Sequence, residues 1–274
     1  MKENWNTVRW VVMPKKFLGT LLMFSAFFSF EGPAAKAQDE KSEAKAREII
    51  AASIEALGGA SYLNITHVMS QGRYFAFRKG RKAFARFQDW TVYDPVKWRF
   101  QLGKGKQQTV QIFNLELGKA WTLEGKDYVE EIPEEAVQDF RRNAKKDIDL
   151  ILRERLDEEG MNLYYYGPND VSGTGDVEAV EFLDSTNDAM VIFFDTKTHL
   201  PVKTETHNTD KVGVRHKQEQ EFWNWHVIEG VNTALRHDVY VDGEVSTQRF
   251  IEELTYNPTI PKEYFEEPVV EEDD

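Results

Sequence analysis

Hydrophobic positions along this chain change period twice. Residues 17–30 form one uncharged apolar run. Across 40–57 the apolar positions recur at helical spacing, with Ala46, Ile49, Ile50, Ser53, Ile54 and Leu57 on one stripe. That spacing predicts an amphipathic helix. Gly58-Gly59 ends it, since glycine takes the left-handed position past a last turn without strain. From there the period is two. Residues 68–78 and 83–93 read as strands joined by a hairpin turn at 79–82. After Pro95, Val96, Trp98, Phe100 and Leu102 alternate with Lys97, Arg99 and Gln101, as in a half-buried strand.

The meander continues through 109–115, 119–123 and 128–132. It is interrupted once. Across 133–159, Val137, Phe140, Ala144, Ile148, Ile151 and Leu152 mark the apolar side of a second helix, with Pro133 suited to its start and Gly160 to its end. Arg141, Arg142, Lys145, Lys146, Arg153 and Arg155 make that helix basic, either as a solvated face or as a rim for an acidic head group. Strands resume at 177–183, 190–194, 201–207, 213–227, 232–241 and 245–256. No linker or tandem repeat divides the series. The expected architecture is one α+β domain over 38–268, an antiparallel meander with helices on one side.

The leading apolar run changes the picture of where this domain works. It follows Lys2, Arg9, Lys15 and Lys16 and precedes Ala35-Lys36-Ala37, the three parts of a secretory signal in order. Fourteen residues make about 21 Å of helix, short of the ~20 residues that span a bilayer. Residues 1–37 are therefore expected to be cleaved after Ala37. Cysteine is absent, so no disulfide supports the fold. The leader holds 5 of the 34 basic and 2 of the 47 acidic residues, leaving 29 against 45. That acidity disfavours nucleic acid as a partner. Residues 269–274 read as an acidic tail.

Candidate chemistry is sparse. The six histidines make no H-x-H or H-E-x-x-H pair, so no metal is expected. There is no G-x-S-x-G elbow. Gly173-Thr174-Gly175 is too short to cradle a phosphate and reads as a loop. Glu130-Glu131, Glu134-Glu135 and Glu252-Glu253 are adjacent pairs, which point to opposite faces on a strand. Asn64-Ile65-Thr66 matches a glycosylation acceptor. Residues 73–86 interleave basic and aromatic side chains, a pattern of nucleic-acid surfaces that on a hairpin tip more often serves solvation. Aromatics, by contrast, are abundant on the strands.

Four stretches carry a resemblance. Arg47-Glu48-Ile49-Ile50 through Gly58-Gly59, Gly118-Lys119-Ala120-Trp121-Thr122-Leu123, Asp195-Thr196-Lys197-Thr198-His199-Leu200-Pro201-Val202-Lys203, and Asn257-Pro258-Thr259-Ile260-Pro261 with Phe265 and Pro268 resemble, in order, motifs of the LolA/LolB-like periplasmic lipoprotein carriers. The likeness is to the divergent outer membrane lipoprotein-sorting members. Glu229-Gly230-Val231-Asn232 departs from it, lacking a proline often found there. The resemblance implies an eleven-strand-like, strongly curved half-barrel whose helices cover the concave face. It also implies a periplasmic location and a cavity for acyl chains, with no cofactor.

Two functions follow as expectations. One is a non-catalytic, monomeric carrier of a lipid or lipidated protein, its cavity lined by Trp98, Phe100, Ile112, Trp121, Trp223 and Trp225 with Phe140 and Ile148 as lid. The other is an interaction module for another envelope protein, with a filled interior. A hydrolase would need a carboxylate and a histidine within reach of each other in a polar pocket.

Overall fold

The computed structural model describes residues 33–78, 80–171, 175–210 and 212–269, excepting the side chains of 33–38, 170 and 171. The expected signal lies outside the described residues up to residue 32, as do Gly173-Thr174 and the tail from residue 270. Among the described residues, no helix is long and apolar enough to cross a membrane.

Among the described residues, thirteen antiparallel strands form one sheet, two more than the resemblance implies. The first six are β1 (His67–Arg78), β2 (Arg81–Val92), β3 (Lys97–Leu102), β4 (Thr109–Asn114), β5 (Lys119–Glu124) and β6 (Tyr128–Glu131). The rest are β7 (Asn162–Val171), β8 (Gly175–Leu183), β9 (Ala189–Asp195), β10 (Pro201–Thr209), β11 (Arg215–Ile228), β12 (Val231–Val241) and β13 (Glu244–Tyr256). Their spatial order is β6-β5-β4-β3-β2-β1-β13-β12-β11-β10-β9-β8-β7. Two meanders thus meet where β1 pairs with β13, and β6 and β7 are the outer edges of the sheet. β7 is missing from the sequence reading because Gly167-Pro168 punctuates it. Proline is tolerated there because the strand is an edge and its register slips between Tyr165 and Gly167.

The link from β6 to β7 must pass from one edge of the sheet to the other, and it is largely helical. It is not the single helix expected over 133–159. α3 (Glu134–Ala144) ends in a turn. Asp147 then starts a new turn, its carboxylate accepting from the Asp149 and Leu150 N–H groups at 3.0 and 3.1 Å. α4 (Ile148–Leu150) runs into a π-turn at Ile151–Arg155.

α1 (Pro33–Leu57) lays its predicted stripe on the β7–β9 end, and the expected cleavage point after Ala37 falls within its first two turns. Ala46, Ile49, Ile50 and Leu57 are buried with Leu163, Val180 and Phe182 in the largest apolar cluster. Gly58 (φ 134°) lies so near the β11–β12 turn that a Cβ would stand 2.6 Å from the Gly230 oxygen. The short helix α2 (Ala60–Leu63) follows, and the sequence reading had no place for it.

Candidate functional site, an interior cavity

A cavity of about 500 Å³ lies on one face of the sheet. β3 and β10 both border it, although six inter-strand spacings, roughly 29 Å in a flat sheet, separate them in the strand order. The sheet therefore wraps around the space. Phe140, Asn143 and Ile148, from the helical link, line it as well.

One end is aromatic. The Phe140 ring stacks on Phe113 at 4.1 Å and on Trp98 at 5.6 Å between centroids. Trp98 stacks in turn on Phe100 at 5.4 Å with planes 8° apart. Phe100 continues the row toward Phe87 and does not border the cavity itself.

The opposite wall is polar, its strand side chains uncharged, with Lys146 of the helical link beside them donating to the Asn208 Oδ1 at 3.2 Å. Thr204 and Thr206 of β10 stand beside Gln220 and Gln218 of β11. The alternate residues face away from the cavity and pair as ions, Lys203 with Glu219 at 3.0 Å and Lys217 with Glu205 at 3.4 Å. Phe222 follows on the cavity side. Strict alternation would turn Trp225 outward, but the left-handed backbone at Asn224 (φ 59°) brings it to 6.5 Å from Phe222. Trp223 stays on the other face and donates to Glu221 at 3.2 Å.

Of the eight residues expected to form the site, the structure brings Trp98, Phe140, Ile148 and Trp225 to the cavity. Ile112 and Trp121 pair across β4 and β5 on the opposite face, packed with Val110. Arg99 of the adjacent strand donates there to the Tyr264 carbonyl of the C-terminal turn Lys262–Phe265. The cause is register, since Phe113 and Ala120 hold the cavity-side positions of those strands.

A buried polar cluster beside the cavity went unread in the sequence. The Arg153 guanidinium sits 3.9 Å from the Tyr93 ring centroid and donates to the Ile65 carbonyl at 2.7 Å. Asp149 accepts from the Tyr62 and Tyr93 hydroxyls at 2.8 and 3.3 Å. Burial acts against the charge of Arg153, but Asp149 and the tyrosine oxygens hold it above its ordinary value. Burial, together with Asp149, keeps both tyrosines protonated far above the usual range. This cluster ties the helical link to the end of α2. A basic residue and tyrosines spread over residues 62–153 leave no local pattern to find.

His237 also borders the cavity. Its Nε2 donates to the Ala234 carbonyl at 3.1 Å and its ring meets Phe222 edge-on. Burial, then the charge of Arg249, pushes the imidazole down to about 4. An ordinary histidine near pH 6.5 takes its proton first in the unfolded chain. Its contribution is therefore complete above about pH 6.5 and falls as the pH drops toward 4. Asp147 opposes this, because enclosure and then the Asp149 charge push its carboxyl up to about 6, so the folded state holds that proton. His237→Gln is expected to remove a slope of at most about 1.4 kcal/mol per pH unit between 6.5 and 4. Urea unfolding at half-unit steps measures it.

The pair of a histidine with carboxylates is elsewhere. His216 meets Asp242 and Asp210 at 2.6 and 3.3 Å, at surface turns away from the cavity. Among the described residues, no group of three or more His, Asp or Glu is placed to hold a metal.

No family model matches the chain, and no curated protein matches it in sequence. Solved structures do match. A DUF1329 family protein from Desulfovibrio piger superposes with a TM-score of 0.55 at 14% identity, over 81% of this chain and 97% of that one. An outer membrane lipoprotein-sorting protein domain from Vibrio parahaemolyticus gives 0.53 at 14%, over 83% and 97%. The chain has the fold of these structures. A LolA superfamily protein from Nitrosomonas europaea matches at 0.43 and 13%, over 81% and 97%. The cavity of this chain is built on a large antiparallel sheet, not closed, with few helices.

Proposed function

We propose that this chain is a non-catalytic, monomeric carrier that holds an acyl chain, as a lipid or as the anchor of a lipoprotein, inside the cavity. The reading places it in the periplasm with its leader removed after Ala37, and makes α3 and α4 the cover over the concave face. The cavity itself carries the proposal. Its volume lies within the roughly 300–1,000 Å³ of small-molecule sites. Its aromatic end at Trp98 and Phe140 suits methylenes, each stabilising by about 0.8 kcal/mol when buried. The Thr and Gln wall offers hydrogen bonds to a polar head without adding charge. The fold shared with the Vibrio lipoprotein-sorting domain agrees with lipid handling.

Native mass spectrometry with organic extraction, on protein purified gently from the cells that export it, tests this. The expected result is a stoichiometric phospholipid, fatty acid or lipopeptide. Protein that is bare, and stays bare after incubation with such lipids, would instead favour the module that recognises another envelope protein.

A further inference from the structure

The charges of this acidic protein are segregated. Residues 73–106 hold ten basic and two acidic side chains, in a chain with 34 and 47 overall. In the fold Arg73, Arg78, Arg81, Lys82, Arg86, Lys104 and Lys106 gather at the hairpin end of β1 and β2, while Lys97 and Arg99 lie toward the opposite end. β3 stops at Leu102, opposite Phe87, so β2 carries on from Arg86 to Arg81 with no strand on that side, about 17 Å of free edge. The β3–β4 loop, with Lys104 and Lys106 exposed, sits at the base of this projection, where Gly103 N–H bonds the Arg86 carbonyl.

The ion pairs of this end stop at its base. Glu252 takes both Arg73, at 2.8 Å, and Arg86. Beyond them, among the described residues, Arg78, Arg81, Lys82, Lys104 and Lys106 have no carboxylate partner. Aromatic rings lie among the cations on the face turned away from the cavity. Phe84 is 58% exposed. Phe75 meets Phe84 at 5.2 Å and Phe250 at 5.6 Å. Lys82 Nζ stands 4.4 Å from the Phe75 ring, and Arg73 and Arg236 cover Phe250.

The geometry points to the β1–β2 hairpin as a docking surface for an anionic phospholipid bilayer. Its free cations match the lipid phosphates in charge, and Phe84 is placed to enter at headgroup level beside them. Single-stranded nucleic acid is the weaker match, because it needs open ring planes for stacking and those of Phe75 and Phe250 are already covered. Lysines that merely guard a strand edge against pairing would need no exposed phenylalanine beside them. Phe84 and Lys82 face away from the cavity, and Arg78 and Arg81 turn to the other side of the projecting hairpin, clear of the cavity lining, so docking and cargo binding can be read separately.

The test is co-sedimentation of the exported chain with vesicles of phosphatidylglycerol and phosphatidylethanolamine, against vesicles of phosphatidylcholine alone. Binding should be at least tenfold stronger to the anionic vesicles and should weaken as salt rises. Each basic residue near such a surface is worth about fivefold, so Arg81→Glu with Lys82→Glu should lower binding more than tenfold. Phe84→Ser should weaken it while leaving the salt dependence in place. Neither variant should change uptake of a neutral acyl probe. Equal binding to both vesicles, or a charge-reversed chain that binds as before, overturns the proposal. So would tighter binding to a single-stranded oligonucleotide lost in the same variants, or self-association as the only consequence of charge reversal.

Discussion

Asp184→Ala is expected to lower the free energy of unfolding by about 3–5 kcal/mol. Asp184 is 6% exposed and accepts from Arg155, itself 8% exposed, at 3.2 Å. Its other oxygen accepts from the Thr186 hydroxyl and N–H at 2.7 and 2.9 Å and from the Asp188 N–H at 3.1 Å, which shapes the β8–β9 turn. Alanine leaves those donors without an acceptor and a buried guanidinium short of its partner. Glu158, 2.5 Å from Arg155 Nε, retains part of the pairing. Asp184→Asn keeps an acceptor and removes the charge, so its loss should be smaller.

Burial works against the Asp184 charge, yet the bonds from Thr186, Asp188 and Arg155 hold its carboxyl below the ordinary range. The contribution is therefore complete above the ordinary value of 3.8 and disappears only as the pH falls through the lower folded value. Urea titration of both variants at neutral pH decides the matter. The Arg155 guanidinium also donates to the Lys145 carbonyl, so a loss under about 1 kcal/mol for alanine would show that Glu158 and that carbonyl suffice to hold it.

Most of the sheet was legible because each strand has one buried face, and a period of two survives even where the neighbours are unknown. Strand β3 is the clearest case, with Trp98 and Phe100 on the cavity-side face and Arg99 on the other, as the alternation requires. What alternation leaves open is which face is which. Ile112 and Trp121 satisfy the same pattern as Trp98 and lie across the sheet from it, because nothing local distinguishes a strand's two apolar sides when both are covered. Trp225 reached the cavity for a reason alternation does not contain, a single left-handed residue at Asn224. The polar wall did leave a trace. Lys203, Glu205, Lys217 and Glu219 alternate with Thr204, Thr206, Gln218 and Gln220, and uncharged polar positions opposite charged ones mark the enclosed side. The aromatic-hairpin reading of residues 73–86 located a real cluster but gave no sign that β3 would stop short and leave it projecting.

Phe140→Asp is expected to reduce uptake of a neutral acyl probe at least tenfold in a chain that still folds. The ring of Phe140 closes the aromatic end, near parallel to Phe113 and Trp98 at 21° and 25°. A carboxylate there sets an unpaired charge against the methylenes the end would otherwise receive, and a charge next to apolar surface must keep water with it. α3 should remain docked, since Val137, 1% exposed, is the side chain that fixes it to Phe113 and Ala120. Circular dichroism and the thermal midpoint check that it does. Asn143→Trp supplies an independent reading. This exposed residue borders the cavity without touching the ring stack, so the indole should occupy cavity space and weaken binding while stability stays put. Ile112→Ala gives the converse, removing a buried side chain on the opposite face. It should cost about 2–5 kcal/mol of stability and leave probe affinity unchanged. Should Phe140→Asp and Asn143→Trp both bind as the natural chain does, no acyl chain sits at the aromatic end, and the cavity serves something other than a lipid.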